Sequence, residues 1–260
     1  MIKALFFDID GTLVSFNTHE IPVSTVEALE AAKAAGVKIF ISTGRPVALI
    51  NNLGAISHLI DGYLTSNGAY CYIGDSVVYD RMISEHDVRA LAEASDAGNW
   101  MYIVVGTRDL LVRNPDRNVV DTFKKMLNVS DLPVDIPMEE MLRQGIVQMT
   151  VFVTAEEERQ VMKNTEKCVS SRWYPAFTDI TAEGADKGSA VEAIARRLGI
   201  DISETMAFGD GGNDVPMLRR AGIGVAMGNA TDDVQQEADY VTTSVDDNGV
   251  SNALRKFGVI

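Results

Sequence analysis

Cysteine is nearly absent: Cys71 and Cys168 are the only two in 260 residues, and they stand too far apart for a zinc or redox motif. That excludes a disulfide-dense secreted scaffold and points to reduced thiols in a cytoplasmic protein. Positive charge is also short. The chain has 23 Lys and Arg against 37 Asp and Glu, a formal net charge of −14, so no broad basic face is available for nucleic acid or an anionic membrane. Long apolar runs are missing as well. None reaches spanning length, and the apolar start, Met1 to Val14, is interrupted by Asp8 and Asp10 without a small-residue cleavage site, so it is not read as a signal peptide. Low-complexity tracts and internal repeats are lacking, while 46% hydrophobic and 23% charged residues describe a chain able to bury an ordinary globular core.

What is present organises itself around Leu5-Phe6-Phe7-Asp8-Ile9-Asp10-Gly11-Thr12. Leu5 to Phe7 has no helical period and suits a strand buried on both faces of a parallel sheet. Alternate side chains of an extended segment share a face, so Asp8 and Asp10 are expected to point the same way at the sheet's carboxyl edge, where Gly11 lets the chain turn. Ligands of open α/β sheets bind at that edge.

Down the chain, Ser24 and Glu27 read as a capping box for a helix to Gly36, followed by a strand at Val37 to Ile41 and the turn Ser42-Thr43-Gly44-Arg45-Pro46, with Pro46 placed to open another helix. A short strand at Tyr63 to Thr65, the turn Ser66-Asn67-Gly68-Ala69 and a hairpin about Gly74-Asp75 complete the first segment. From about Ile83 to Glu183 the rhythm changes to helices at 84–97, 115–127, 139–143 and 156–169, with strands at 101–105, 110–113, 147–153, 172–177 and 179–181. This pattern predicts an inserted α+β domain. The βα alternation returns with a helix opened by Lys187-Gly188 and an apolar strand at Thr205 to Phe208 that ends in Gly209-Asp210-Gly211-Gly212-Asn213-Asp214. The expected organisation is a two-segment core, 1–82 and 184–260, interrupted by an insertion at 83–183.

Three strands therefore end in polar turns that a parallel sheet brings to one edge, gathering Asp8, Asp10, Asp210 and Asp214. At about 4 Å and a surface-like dielectric each carboxylate pair repels by about 4 kcal/mol, which calls for a cation. Oxygen ligands without His or Cys favour Mg²⁺ over Zn²⁺. Lys187, Thr43 and the backbone N–H groups of Ile9, Asp10 and Gly44 offer the point charge and donors that a phosphoryl group needs.

The set resembles the haloacid dehalogenase superfamily: Asp8-Ile9-Asp10-Gly11-Thr12 matches its first motif, Thr43-Gly44-Arg45 the second, Lys187 the third and Gly209 to Asp214 the fourth. A domain-sized insertion preceded by Ser66-Asn67-Gly68-Ala69 resembles the Cof-type branch with its C2B cap, and within it the bacterial hexose-phosphate phosphatases. The resemblance implies a Rossmann-like α/β parallel-sheet core with an inserted α+β cap domain, and a Mg²⁺-dependent phosphatase of small phosphorylated metabolites, chiefly sugar phosphates. It implies Asp8 as nucleophile and Asp10 as acid and base. Mg²⁺ would be held by the Asp8 carboxylate, the Asp10 backbone carbonyl and Asp210, supported from behind by Asp214. Phosphate contacts would come from Ile9, Thr43, Gly44, Lys187 and Asn213. Arg45 is expected either to reach substrate or to pair with an acidic residue, and Trp173 and Asp179 are the cap's candidates for substrate contact.

Two other readings use much the same residues. A phosphomutase shares the nucleophile but leaves phosphate on its product. A receiver-like signalling module also combines Asp, Thr, Lys and Mg²⁺ on a parallel sheet, at about half this length and without the insertion.

Overall fold

The first strand, β1 (Ala4–Phe7), is buried along its whole length and lies between two parallel neighbours, which is why it carries no polar face. The computed structural model describes residues 1–121 and 136–260. Contacts divide the chain into two compact units: Met1–Gly44, Asn51–Asp80 and Asp186–Ile260 form one, and Arg45–Ile50 with Arg81–Ala185 form the other.

After β1 come α1 (Val23–Ala34), β2 (Lys38–Ser42), β3 (Gly62–Thr65), β4 (Tyr70–Ile73) and β5 (Ser76–Asp80). The second unit supplies α2 (Glu85–Ala97), β6 (Tyr102–Gly106), β7 (Leu110–Arg113), α3 (Met138–Gln144), β8 (Ile146–Val151), α4 (Ala155–Val161), β9 (Cys168–Tyr174) and β10 (Phe177–Ala182). The chain then returns with α5 (Lys187–Leu198), β11 (Thr205–Gly209), α6 (Val215–Arg220), β12 (Ile223–Ala226), α7 (Asp232–Gln235), β13 (Tyr240–Val241) and α8 (Gly249–Lys256).

The first unit's eight strands run in the order β13-β12-β11-β1-β2-β3-β4-β5, parallel from β13 to β3 and antiparallel through the β4–β5 hairpin. Phe6 stacks on Phe40 and Phe7 on Phe208, so the central strands are locked by aromatic pairs between neighbours. The second unit's sheet, β7-β6-β8-β10-β9, is antiparallel throughout. Leu91 and Met141 from its helices pack with Val104, Met149 and Ile180 from its strands in one apolar cluster.

Several local expectations need correction. The first helix begins at Val23 with Pro22 as its cap, because the Pro22 carbonyl takes the first helical bonds from Thr25 and Val26. Ser24 lies inside that turn and makes no capping bond. Pro46 opens only a single 3₁₀ turn, Val47–Leu49. The helix expected at 156–169 stops at Val161, and the strand expected to run through Phe177 turns at Pro175-Ala176 between β9 and β10. Residues 117–121 are helical, 115 and 116 are not, and 122–127 of the helix expected at 115–127 lie outside the described residues.

A buried carboxylate accounts for the early end of α4. Asp87, with no exposed surface, accepts the N–H groups of Glu166 at 2.8 Å and Lys167 at 3.3 Å, holding that stretch out of helical register. Burial opposes the charge of Asp87, but the donors from Glu166, His86, Lys167 and Ser84 outweigh it and hold the carboxyl below its usual range. The Asp87→Asn variant, whose amide NH₂ would face N–H donors, is expected to lose about 2 kcal/mol at neutral pH. A carboxyl depressed in the folded state stabilises above the unfolded value of 3.8 and loses that contribution as pH falls through the folded one, so parent and variant should converge in acid. Urea unfolding at pH 7 and pH 3 checks this; an equal gap at both would refute it.

Candidate active site

β1, β2, β3, β11 and β12 deliver their carboxyl ends to one edge of the first unit's sheet, and each continues into a polar turn. At the end of β1 the chain reverses within a few residues: Gly11 N–H donates to Val14 O and Val14 N–H to Ile9 O. Gly11 has φ +89°, and a Cβ there would run into the Asp210 carboxylate, so glycine serves both the turn and the close approach. Thr12 Oγ1 then donates to Asp210 Oδ1 at 2.8 Å, tying the first turn to the one after β11.

Lys187, at the first position of α5, has no exposed surface, and its Nζ lies 2.6 Å from Asp8 Oδ1 and 2.6 Å from Asp214 Oδ1. Burial works against its charge, but the Asp214 and Asp8 carboxylates outweigh this and raise its pKa. Asp214 is almost fully enclosed; its second oxygen accepts the N–H groups of Asp210 at 3.0 Å and Gly211 at 2.9 Å.

Carboxylate oxygens of Asp8, Asp210 and Asp214 all lie within 4.8 Å of one another. Burial drives the Asp8 carboxyl well above its usual value, Lys187 pulls it back, and Asp214, Asp210 and Asp10 push it up again. Asp210 is pushed up to about 7, by burial first and by the charge of Asp214 next, against the opposing pull of Thr12 and Lys187. A buried all-oxygen group with more negative charge than one lysine neutralises fits a hard divalent cation. Asp10, which lies outside this close group, acts on it through its charge.

The other predicted residues divide between the units. Thr43, buried at the end of β2, donates its N–H to Leu64 O at 2.8 Å, and Gly44 follows it. Asn213 Nδ2 donates to Asn67 Oδ1 at 2.9 Å. The structure thus brings together Asp8, Ile9, Asp10, Thr43, Gly44, Lys187, Asn213, Asp210 and Asp214 on one unit. Arg45, Trp173 and Asp179 belong to the other. Arg45 is buried and donates to Leu49 O at 3.0 Å. Asp179, in β10, is also buried and accepts from Thr150 Oγ1 at 2.6 Å. The Trp173 side chain lies outside the described residues.

Sequence reasoning assigned no role to two asparagines at this edge. Asn229 donates to Gly11 O at 2.9 Å, approaches Asp210 Oδ2 at 3.4 Å and accepts Val245 N–H at 2.9 Å, bracing the Asp210 turn. Asn67 holds Asn213 as described. Both stand in polar turns after parallel strands, β12 and β3, so the rule that singled out three turns would have found these had it been applied to every strand of the sheet.

Residues 5–254 match the haloacid dehalogenase-like hydrolase family. Among solved structures, the HAD subclass IIB sugar phosphatase BT4131 is 50% identical with a TM-score of 0.92, covering 99% of this chain and 100% of that one. BT1666 from Bacteroides thetaiotaomicron, a phosphatase of the same superfamily, is 37% identical with a TM-score of 0.88, covering 100% and 96%. Among curated relatives, the 5-amino-6-(5-phospho-D-ribitylamino)uracil phosphatase YcsE of Bacillus subtilis (strain 168) is 28% identical, covering 98% of this chain and 95% of its own. Among the described residues no helix is long and apolar enough to cross a membrane.

Proposed function

Since the chain belongs to the haloacid dehalogenase-like hydrolases, we propose that it is a Mg²⁺-dependent phosphatase that releases inorganic phosphate from small phosphorylated metabolites, sugar phosphates foremost. The observation that carries this reading is the buried Lys187 clamped between Asp8 and Asp214 beside Asp210. A fully buried lysine at one end of a nucleophilic carboxylate supplies the fixed positive charge that a phosphoryl group requires. The relatives' own substrates, sugar phosphates for BT4131 and a phosphoribityl compound for YcsE, support the substrate class. Two free cysteines fit a cytoplasmic setting.

In this reading an Asp8 carboxylate oxygen attacks phosphorus, the bond from phosphorus to the leaving oxygen breaks, and Asp10 gives that oxygen its proton. Asp10 then takes a proton from water as the water attacks phosphorus, the bond to Asp8 breaks, and phosphate and free Asp8 are restored. Lys187, Thr43, Asn213 and the N–H groups of Ile9 and Gly44 hold the phosphoryl oxygens. Asp8, the Asp10 carbonyl and Asp210, supported by Asp214, would hold Mg²⁺, which would supply charge neutralisation for the transferring group. The core turns provide only for metal and phosphate, so the inserted unit, with Arg45, Trp173 and Asp179 as its candidates, is assigned the choice of leaving alcohol.

The test is phosphate release across hexose and pentose phosphates, nucleotides and phosphoserine, with a protein-bound phosphate count alongside. Multiple turnover on sugar phosphates is expected. A product that keeps its phosphate would make the chain a mutase, and a long-lived phosphoprotein without turnover would make it a receiver; either overturns the proposal.

A further inference from the structure

Ser66, Asn67 and Gly68 take φ values of +51°, +54° and +85° in succession, a left-handed run that side-chain-bearing residues rarely adopt. The run is held in place from two sides. Asn67 N–H donates to Thr43 O at 3.0 Å, and Gly68 presses so closely on the Asp186 carbonyl that no Cβ would fit there. The turn is thereby fastened to the two segments that carry Thr43-Gly44 and Lys187. The strain delivers the Asn67 amide against Gly44, where a Cβ on Gly44 would stand 3.1 Å from Asn67 Oδ1 and 3.4 Å from Nδ2.

The orientation of that amide is set by its neighbour. Asn213 Nδ2 donates to Asn67 Oδ1 at 2.9 Å, which leaves Nδ2 as the free end. Asn67 is 6% exposed, and its Nδ2 is buried with no hydrogen-bond partner among the described residues. Buried amide donors are nearly always paired, so an unpaired one held by a strained backbone is an exception that needs a reason. Thr12, Asn229 and Asn213 at the same edge all have partners.

We propose that Asn67 is a substrate-binding residue whose Nδ2 donates to a phosphoryl oxygen, joining Thr43, Gly44, Lys187 and Asn213 in the ring of donors. The inference rests on reading this edge as a phosphoryl pocket. It adds a neutral, strained donor that the Asp, Thr and Lys motifs do not contain. Asparagine suits the position twice over, since it tolerates a left-handed backbone better than most residues and carries both the acceptor for Asn213 and the donor for phosphate.

Calorimetric titration of inorganic phosphate with saturating Mg²⁺ tests this independently of turnover. Asn67→Gly keeps the left-handed turn but removes the amide, and Asn67→Asp keeps an acceptor for Asn213 but removes the donor. A lost hydrogen bond to a charged group predicts Kd raised by about ten- to a hundredfold in Asn67→Gly, and at least as much in Asn67→Asp. The ligand-free thermal midpoint of Asn67→Gly should stay close to the parent's, because relief of a strained residue and of an unpaired donor offsets the lost hydrogen bond from Asn213. A residue that merely positions Asn213 would show no further loss from Asn67→Gly once Asn213 is itself replaced by Ala, whereas a direct donor predicts that the two losses add. Parent-like Kd in either variant, or no phosphate binding by the parent, overturns the inference. Phosphate binding without turnover of any sugar phosphate would refute the proposed activity and leave the role of Asn67 standing.

Discussion

Asp8→Asn is expected to abolish phosphate release while folding at least as stably as the parent chain when metal is chelated. The amide keeps the volume but cannot attack phosphorus, and a nucleophile's removal costs at least about 10⁴-fold in turnover. The stability half of the result follows from electrostatics. Burial and three neighbouring carboxylates raise the Asp8 carboxyl despite Lys187, so the folded chain disfavours the ionised form and holding it carries a cost. Neutralising the group removes that cost, and Lys187 retains Asp214 at 2.6 Å as a partner. Thermal midpoints in chelator and initial rates in Mg²⁺ check the two halves. A folded variant with parental rates contradicts the nucleophile's assignment, and a marked fall in midpoint in chelator contradicts the electrostatic account.

Removing the metal from the parent should be nearly as severe. With chelator, activity is expected to fall at least about a thousandfold and to return with Mg²⁺ but not Zn²⁺, because the proposed ligands are all oxygen. The pH dependence of stability offers a second readout. Asp210, raised from 3.8 to about 7, binds more protons folded than unfolded across that window. Stability in chelator should therefore fall as pH rises from about 4 to about 7, and Mg²⁺, which binds the folded carboxylates, should flatten the slope and raise the midpoint. Full activity in metal-free buffer, or a midpoint indifferent to Mg²⁺ at pH 8, would count decisively against a divalent site.

Much of this chain was legible because its signals are local. An apolar run without helical period marks β1, and Gly11 marks a turn that needs positive φ, at +89°. Asp-x-Asp-Gly-Thr and Gly-Asp-Gly-Gly-Asn-Asp carry their chemistry within a few residues. Where distant groups compete with local ones, the reading failed. The capping pattern of Ser24 and Glu27 failed for a local reason instead, since the Pro22 carbonyl two residues earlier takes the first helical bonds. The helix expected to reach Val169 lost its last turns to Asp87, about eighty residues earlier, which takes the N–H groups that would have continued it.

The sequence by itself determined the alternation of strands and helices, the inserted α+β segment and the identity of the residues at three strand ends, since each follows from side-chain polarity at fixed spacing along the chain. Only the tertiary structure decided which of their atoms meet. That Lys187 lies between Asp8 and Asp214 while Asp10 stands apart from the close carboxylate group depends on how α5 and β11 pack beside β1. That Asn67 faces Gly44 and Asn213 depends on a strained turn fastened at both ends. Two of these contacts, Lys187 with Asp8 and Asn213 with Asn67, join residues more than a hundred positions apart, and the distances are set by the packing of the whole sheet rather than by any local propensity.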